Sequence, residues 1–210
     1  MTLSLSQNKK EAAMIKAVYF DVGGVITSGM FEPSFREGIK KYGMDYTEEM
    51  ERCRRRFRDM AEKGEISDDE YWKGFVNEAG LPGSVEYWKS TFKGHKIIPG
   101  VITIVRELKS KGILLGIISN RRREHVLGDQ EMEFYPLFDV VVYSYEIGII
   151  KPDERIYKIA LERVNVSAIE SLFIDDKEEN VRAAQALGMD GIVFQSADQL
   201  REELTKRHLL

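Results

Sequence analysis

Four short stretches carry side chains that can do chemistry, and each follows directly on an apolar run. The first is Asp21, which ends VYF and precedes Val22-Gly23-Gly24. A carboxylate there is available as a nucleophile, and the glycines permit a tight turn whose amides can approach an anion. The second is Ser119-Asn120 after ILLGII, where a hydroxyl and a backbone amide can donate to a phosphoryl oxygen. The third is Lys151-Pro152-Asp153, ahead of ERIYKIALERV. It sets a cation beside a helix start that Pro152 and Asp153 both suit. The fourth is Asp175-Asp176 after SLFI. Neighbouring carboxylates repel unless a cation or strong donors offset them. Magnesium takes such hard oxygen ligands, usually one or two carboxylates, with water and phosphate completing its octahedron. Taken one at a time, each stretch also has a structural reading, as a turn, a helix cap or a solvated charge, which is the stronger one for Ser119-Asn120 and Lys151 and the weaker one for Asp175-Asp176.

The elements that must position these groups follow from apolar periodicity. Runs at 15–20, 113–118, 138–142, 171–174 and 191–194 are apolar nearly throughout, as suits strands buried on both faces of a parallel sheet. Helical patterns lie between them, at about 101–111, 153–164, 177–187 and 197–206. Strand and helix in alternation imply right-handed crossovers and a Rossmann-like doubly wound α/β core, in which ligands bind beyond the carboxyl ends of the strands. All four chemical stretches fall at such ends.

Residues 30–95 break the alternation, with no strand-like run. Ser67-x-x-Glu70 is a capping box, and Thr47 ahead of Glu48-Glu49 suits a helix N-cap. Met50, Cys53, Phe57 and Met60 share one helical face. Gly64, Gly80-Leu81-Pro82-Gly83 and Gly94 punctuate the segment, and Pro99-Gly100 closes it. The expected organisation is a core of 1–27 and 96–210 with an all-helical cap inserted at 28–95.

Bulk properties bound the rest. The chain has 210 residues, 43% hydrophobic and 31% charged, with a net charge of −4. That charge argues against a protein built to neutralise nucleic-acid phosphates. Cys53 is the lone cysteine, so nothing calls for an oxidising compartment. Met1–Glu11 lacks the apolar core of a secretory leader, and no apolar run is long enough to span a bilayer. The expectation is a cytoplasmic protein acting on a small molecule, with no nucleic-acid or membrane partner.

Jointly, FDVGGV, IPGV followed by IISN, IIKPDERIYKIALE and FIDDKEENVRAAQALGM resemble the haloacid dehalogenase-like superfamily of aspartate-nucleophile hydrolases, most of them phosphatases. The likeness runs from about Ile15 to Phe194, and the insert resembles the family's C1-type helical cap. The resemblance implies that Asp21 attacks phosphorus to form an aspartyl-phosphate, which water then hydrolyses. Magnesium would be held by the Asp21 carboxylate, the Gly23 carbonyl and Asp176, with Asp175 supporting. Ser119 and the Asn120 amide would bind a phosphoryl oxygen, and Lys151 would offset the gathered negative charge. Gly23 departs from the pattern. Phosphatases of the family usually carry there a second aspartate, which serves as general acid and base. Glycine keeps a carbonyl for the metal but has nothing to transfer a proton, a loss of roughly 10²–10⁴ in rate. A metal-independent hydrolase of the haloacid dehalogenase type, or a weak or inactive binding protein, are the alternatives.

Other features read as structural. The run Arg52-Cys53-Arg54-Arg55-Arg56-Phe57-Arg58, set among acids, is expected to be a solvated helix face laced with ion pairs. Cys53 is expected to be a buried thiol, Trp72 and Trp88 cap core, and Arg121-Arg122-Arg123 surface charge, with reach of one of the three to an anionic substrate as the alternative. His95, His125 and His208 show no metal-ligand spacing.

Overall fold

The apolar runs become five parallel strands in the order β5-β4-β1-β6-β7. A computed structural model describes residues 14–28, 31–91, 96–124 and 134–210, so Met1–Glu11, Gly94, His95 and His125 lie outside the described residues. At the centre, β1 (Ala17–Phe20) pairs with β4 (Leu114–Ser119) on one side and β6 (Ser171–Asp175) on the other. The outer strands are β5 (Val140–Tyr143) and β7 (Asp190–Val193).

The absence of polar alternation in β1 has a direct cause, because both faces of the sheet are covered. Val18 and Phe20 point into one core with Leu115, Ile117, Leu172 and Ile174. There they meet Val101, Val105 and Leu108 of α5 (Pro99–Ser110) and Leu200 and Leu204 of α9 (Ala197–Lys206). Ala17 and Tyr19 point the other way with Ile118, Val142 and Phe173. These pack on Ile156, Tyr157 and Ala160 of α7 (Glu154–Val164) and Ala184 of α8 (Glu178–Ala186). A four-residue helix, α6 (Ser144–Ile147), follows β5 at once. Pro152 lies just outside α7 rather than within it. Asp153 takes the N-cap, its side chain accepting from the Arg155 N–H at 3.0 Å.

The chain leaves this core through β2 (Thr27–Ser28) and returns through β3 (Lys96–Ile97), which pair antiparallel. Two residues a side are too few to leave a periodic signature, and this ribbon is not foreseen from the apolar pattern. Between its strands lie α1 (Phe31–Lys41), α2 (Glu48–Glu62), α3 (Asp68–Glu78) and α4 (Val85–Thr91). Thr47 caps α2 by accepting from the Met50 N–H at 3.2 Å, and Ser67 and Glu70 form the reciprocal capping box of α3. The four helices enclose their own apolar centre around Phe35, Cys53, Trp72, Phe75 and Trp88. Among the described residues, no helix is long and apolar enough to cross a membrane.

Gly116 shows how tightly the sheet is filled. A Cβ there would stand 2.3 Å from Tyr19 Cδ1 and 2.9 Å from Val140 Cγ1. The Tyr19 ring is fully buried and its hydroxyl donates to the Ala160 carbonyl at 3.2 Å. Gly116→Ala is therefore expected to destabilise the fold by about 1–3 kcal/mol through overpacking. Urea unfolding checks this, and an unchanged midpoint would show that the ring yields freely.

Candidate active site

Because β1, β4 and β6 are neighbours, their carboxyl ends deliver three polar side chains to one place. Ser119 ends β4, Asp175 ends β6, and Asp21 follows β1. The Asp21 N–H still donates to the Ile174 carbonyl at 2.9 Å, so this residue keeps the register of the sheet. The Ser119 hydroxyl donates to Asp21 Oδ1 at 2.7 Å. Lys151 Nζ lies 3.0 Å from the same oxygen and donates to Asp175 Oδ2 at 2.6 Å. Both contacts to Asp21 use Oδ1, leaving Oδ2 for other work.

Lys151 reaches this position because its backbone is clamped. Asn120 Nδ2 donates to the Lys151 carbonyl at 3.1 Å, and Asn120 Oδ1 accepts from the Lys151 N–H at 2.8 Å. The Asn120 side chain is thus committed to holding the Lys151 loop. Asp175 is equally committed. Besides Lys151, it accepts from the Lys177 N–H at 2.8 Å and, on its two oxygens, from Asn180 Nδ2 at 3.1 and 3.0 Å.

The charges explain themselves physically. Burial pulls the Lys151 pKa down, but Asp21 and Asp175 outweigh it and hold the ammonium above its ordinary value. Burial drives Asp175 up against the pull of Lys151. Asp176 is pushed up to about 6, by burial first and then by the charges of Asp21 and Asp175. Carboxylate oxygens of Asp21, Asp175 and Asp176 lie within 4.8 Å of one another. Lys151 offsets only part of that charge, and a divalent cation is the natural complement of such a set of oxygens.

The two glycines that follow Asp21 and Val22 behave differently. Gly24 has φ +89°, and a Cβ there would stand 2.6 Å from the Asp176 carboxyl carbon, so glycine is required twice over. At Gly23 a Cβ would meet no atom within 4 Å. The side of the site where a second acid would stand is open.

A pocket of about 190 Å³ lies over these residues. Asp21, Gly23, Ser119 and Lys151 form its floor, while Arg54, Arg58, Glu62 and Tyr71 line it from the helical insert. Arg121 and Arg122 line it too, which corrects their reading as surface charge: they are 3% and 4% exposed. The stretch after β4 runs beneath the insert, which covers it. Arg122 pairs with Asp68 of α3 and stacks over the Tyr71 ring at 4.2 Å, coupling core to insert. The Arg52–Arg58 run also needs amending. Its ion pairs exist, Glu51 to Arg54 at 2.7 Å and to Arg55 at 2.8 Å, yet Arg54 and Arg58 face the pocket instead of bulk water. Cys53, Trp72 and Trp88 are buried as expected.

Glu62, Tyr71, Lys177 and Asn180 also line the pocket, and none of them stood out from sequence. A signal existed for Asn180, an amide on the buried face of α8 beside Val181 and Ala184. The others owe their place to packing between insert and core.

Comparison with known proteins places the chain in a family. The profile of the haloacid dehalogenase-like hydrolases matches residues 15–188. A sesquiterpene phosphatase of Aspergillus oryzae is 31% identical over 180 residues, covering 84% of this chain and 88% of that protein. A phosphorylated-carbohydrate phosphatase of Thermotoga maritima is 30% identical over 188 residues, 85% of this chain and 84% of the other. Among solved structures, a Bacteroides thetaiotaomicron family enzyme in complex with magnesium and inorganic phosphate superposes with a TM-score of 0.69. It is 25% identical and covers 87% of this chain and 95% of its own.

Lys151 is the group whose removal tests the site's electrostatics. Lys151→Met leaves Asp21 and Asp175 buried beside each other without their shared cation, and is expected to cost about 3–5 kcal/mol near pH 8. Burial favours the protonated form of Asp175, so the deficit should shrink as pH falls and the carboxylates take up protons. Denaturation midpoints between pH 8 and pH 5 read this directly. A pH-independent deficit would contradict it.

Proposed function

The chain belongs to the haloacid dehalogenase-like hydrolases, and we propose that within this family it is a magnesium-dependent phosphomonoester hydrolase working through an aspartyl-phosphate. The observation that carries this reading is Asp21, whose Oδ1 is held by the Ser119 hydroxyl and the Lys151 ammonium next to two further carboxylates. The phosphatases among its relatives support it.

In the first step an Asp21 oxygen attacks phosphorus in line, the P–O ester bond breaks, and the leaving alkoxide takes up a proton. In the second, water attacks the aspartyl-phosphate and its P–O bond to Asp21 breaks, returning the carboxylate and releasing phosphate. Ser119 and the Asn120 amide would hold phosphoryl oxygens, and Lys151 would keep the Asp21 charge from repelling the phosphate. Magnesium fits the donor set, which is all hard oxygen. Asp21 and Asp176 retain oxygens for it, the Gly23 carbonyl would join them, and Asp175, already saturated, would orient the site. Once bound, the ion supplies charge neutralisation at the transferring group.

A pocket of about 190 Å³ suits a small phosphorylated metabolite, and the arginines above it favour an anion. Metal-free hydrolysis at carbon would leave Asp176 without a task, and the named relatives do not favour it. Gly23 motivates a second reading, a protein that binds phosphate without turning it over.

One set of assays separates these readings. Hydrolysis of p-nitrophenyl phosphate and a panel of small phosphomonoesters should require magnesium and stop on chelation. Asp21→Asn should lower the rate on the order of 10³-fold or more. Rapid quench and mass spectrometry should find a phosphoryl adduct on the peptide containing Asp21. Turnover that survives Asp21→Asn, or that ignores chelation, would overturn the mechanism. Binding of phosphate with no turnover would select the second reading.

A further inference from the structure

The reaction needs a proton donor for the leaving alkoxide and a base for the attacking water, and Gly23 offers neither. Glu62 lies across the same pocket as Asp21 and Gly23, contributed by the last turn of α2. Its side chain is 15% exposed, enough to meet a ligand in the pocket. We infer that Glu62 is the general acid and base of this enzyme, reaching from the helical insert into the space left open above Gly23. The inference rests on the phosphatase reading given above.

Three observations place Glu62 there. The end of α2 is seated on the core. Gly64 takes φ +71°, and a Cβ on it would stand 2.6 Å from the carbonyl oxygen of Tyr145 in α6. Only glycine lets the two backbones approach so closely, so the end of α2 that carries Glu62 sits against the core. Next, position 23 itself offers no side chain, and a Cβ built on it would meet no atom beyond its chain neighbours within 4 Å. Finally, Arg121 lies within electrostatic reach of both Asp21 and Glu62, and Lys177 of both Glu62 and Asp176, so the two carboxylate groups share a neighbourhood.

The surroundings suit proton transfer. Glu62 faces Arg58, whose Nε lies 3.8 Å from its Oε2, and Asp59 on its own helix. Lys177 faces it from the loop that opens α8, and Arg122 from the stretch after β4. Tyr71 and Arg54 border the same pocket from the insert. Burial outweighs the nearby cations and pushes Glu62 up to about 7. At neutral pH it is therefore divided between acid and base forms, the condition under which one group serves both steps. In the first step the protonated Glu62 carboxyl gives its proton to the departing ester oxygen, which leaves as an alcohol. The resulting carboxylate then takes a proton from water as that water attacks the aspartyl-phosphate. Phosphate is released and both Glu62 and Asp21 return to their starting states.

Glu62→Gln keeps the shape and removes the proton exchange. With glycerol phosphate, whose alkoxide leaves poorly without a proton, kcat/KM should fall roughly 10²–10⁴-fold. With p-nitrophenyl phosphate the variant should keep a burst of nitrophenolate from the first step, then stall for want of a base. The alkaline fall of the wild-type profile near pH 7 should vanish in the variant, whereas substrate ionisation affects both proteins alike. Adding Gly23→Asp, whose Cβ would meet no atom beyond its chain neighbours within 4 Å, should restore glycerol phosphate turnover at least about tenfold, within the reach of a positioned acid/base. Turnover by Glu62→Gln within about threefold of wild type with an unchanged pH profile would overturn the inference alone. So would a loss equal for both substrates that Gly23→Asp does not relieve, since that marks a structural role. A wild-type protein that hydrolyses neither substrate would overturn the phosphatase reading and this inference together.

Discussion

The site depends on one ammonium shared between two buried carboxylates. Lys151 Nζ bridges Asp21 and Asp175 at 3.0 and 2.6 Å, and its side chain is 1% exposed. Charges taken out of water at this depth persist only when paired and hydrogen-bonded. The surroundings are accordingly complete. Asn120 clamps the lysine backbone, Asn180 and the Lys177 N–H occupy Asp175, and Ser119 occupies Asp21. What remains is Asp176 and one side of Asp21, an excess of negative charge with free oxygens. The carboxylates that Lys151 stabilises are thus left short of positive charge, and a divalent cation would complement them.

The helical insert converts strand tips into a pocket. Without it, the loops after β1 and β4 would face water, as in any open parallel sheet. Arg122 is held by Asp68 and by the Tyr71 ring, and the end of α2 rests on the Tyr145 carbonyl. These contacts bring basic side chains and Glu62 to the pocket that Asp21 lines. Burial raises the cost of leaving a carboxylate ionised, which is the first cause of the upward shifts of Asp175 and Glu62. At Asp176, an exposed residue, the neighbouring charges of Asp21 and Asp175 add to it. Gly23 acquires a meaning in this setting. The insert sets a carboxylate of its own across the pocket from the floor position that has no side chain.

Much of the molecule was legible from residue order alone. Near-continuous apolar runs identified the five core strands, because a strand covered on both faces has no polar side. Asp21, Ser119 and the 175–176 pair were legible because each ends or directly follows such a run, and Lys151 because it stands just ahead of the helix that Asp153 caps. Helix caps at Thr47 and Ser67 were legible because capping is a contact between residues three apart. Tertiary structure decided everything that depends on distant segments meeting. It buried Arg121 and Arg122, turned Arg54 and Arg58 toward the pocket, committed Asn120 to the Lys151 backbone, and brought Glu62 to the pocket that Gly23 lines. The reason is physical: a strand end or a cap is encoded by neighbours along the chain, whereas burial of a charge depends on which surface arrives to cover it.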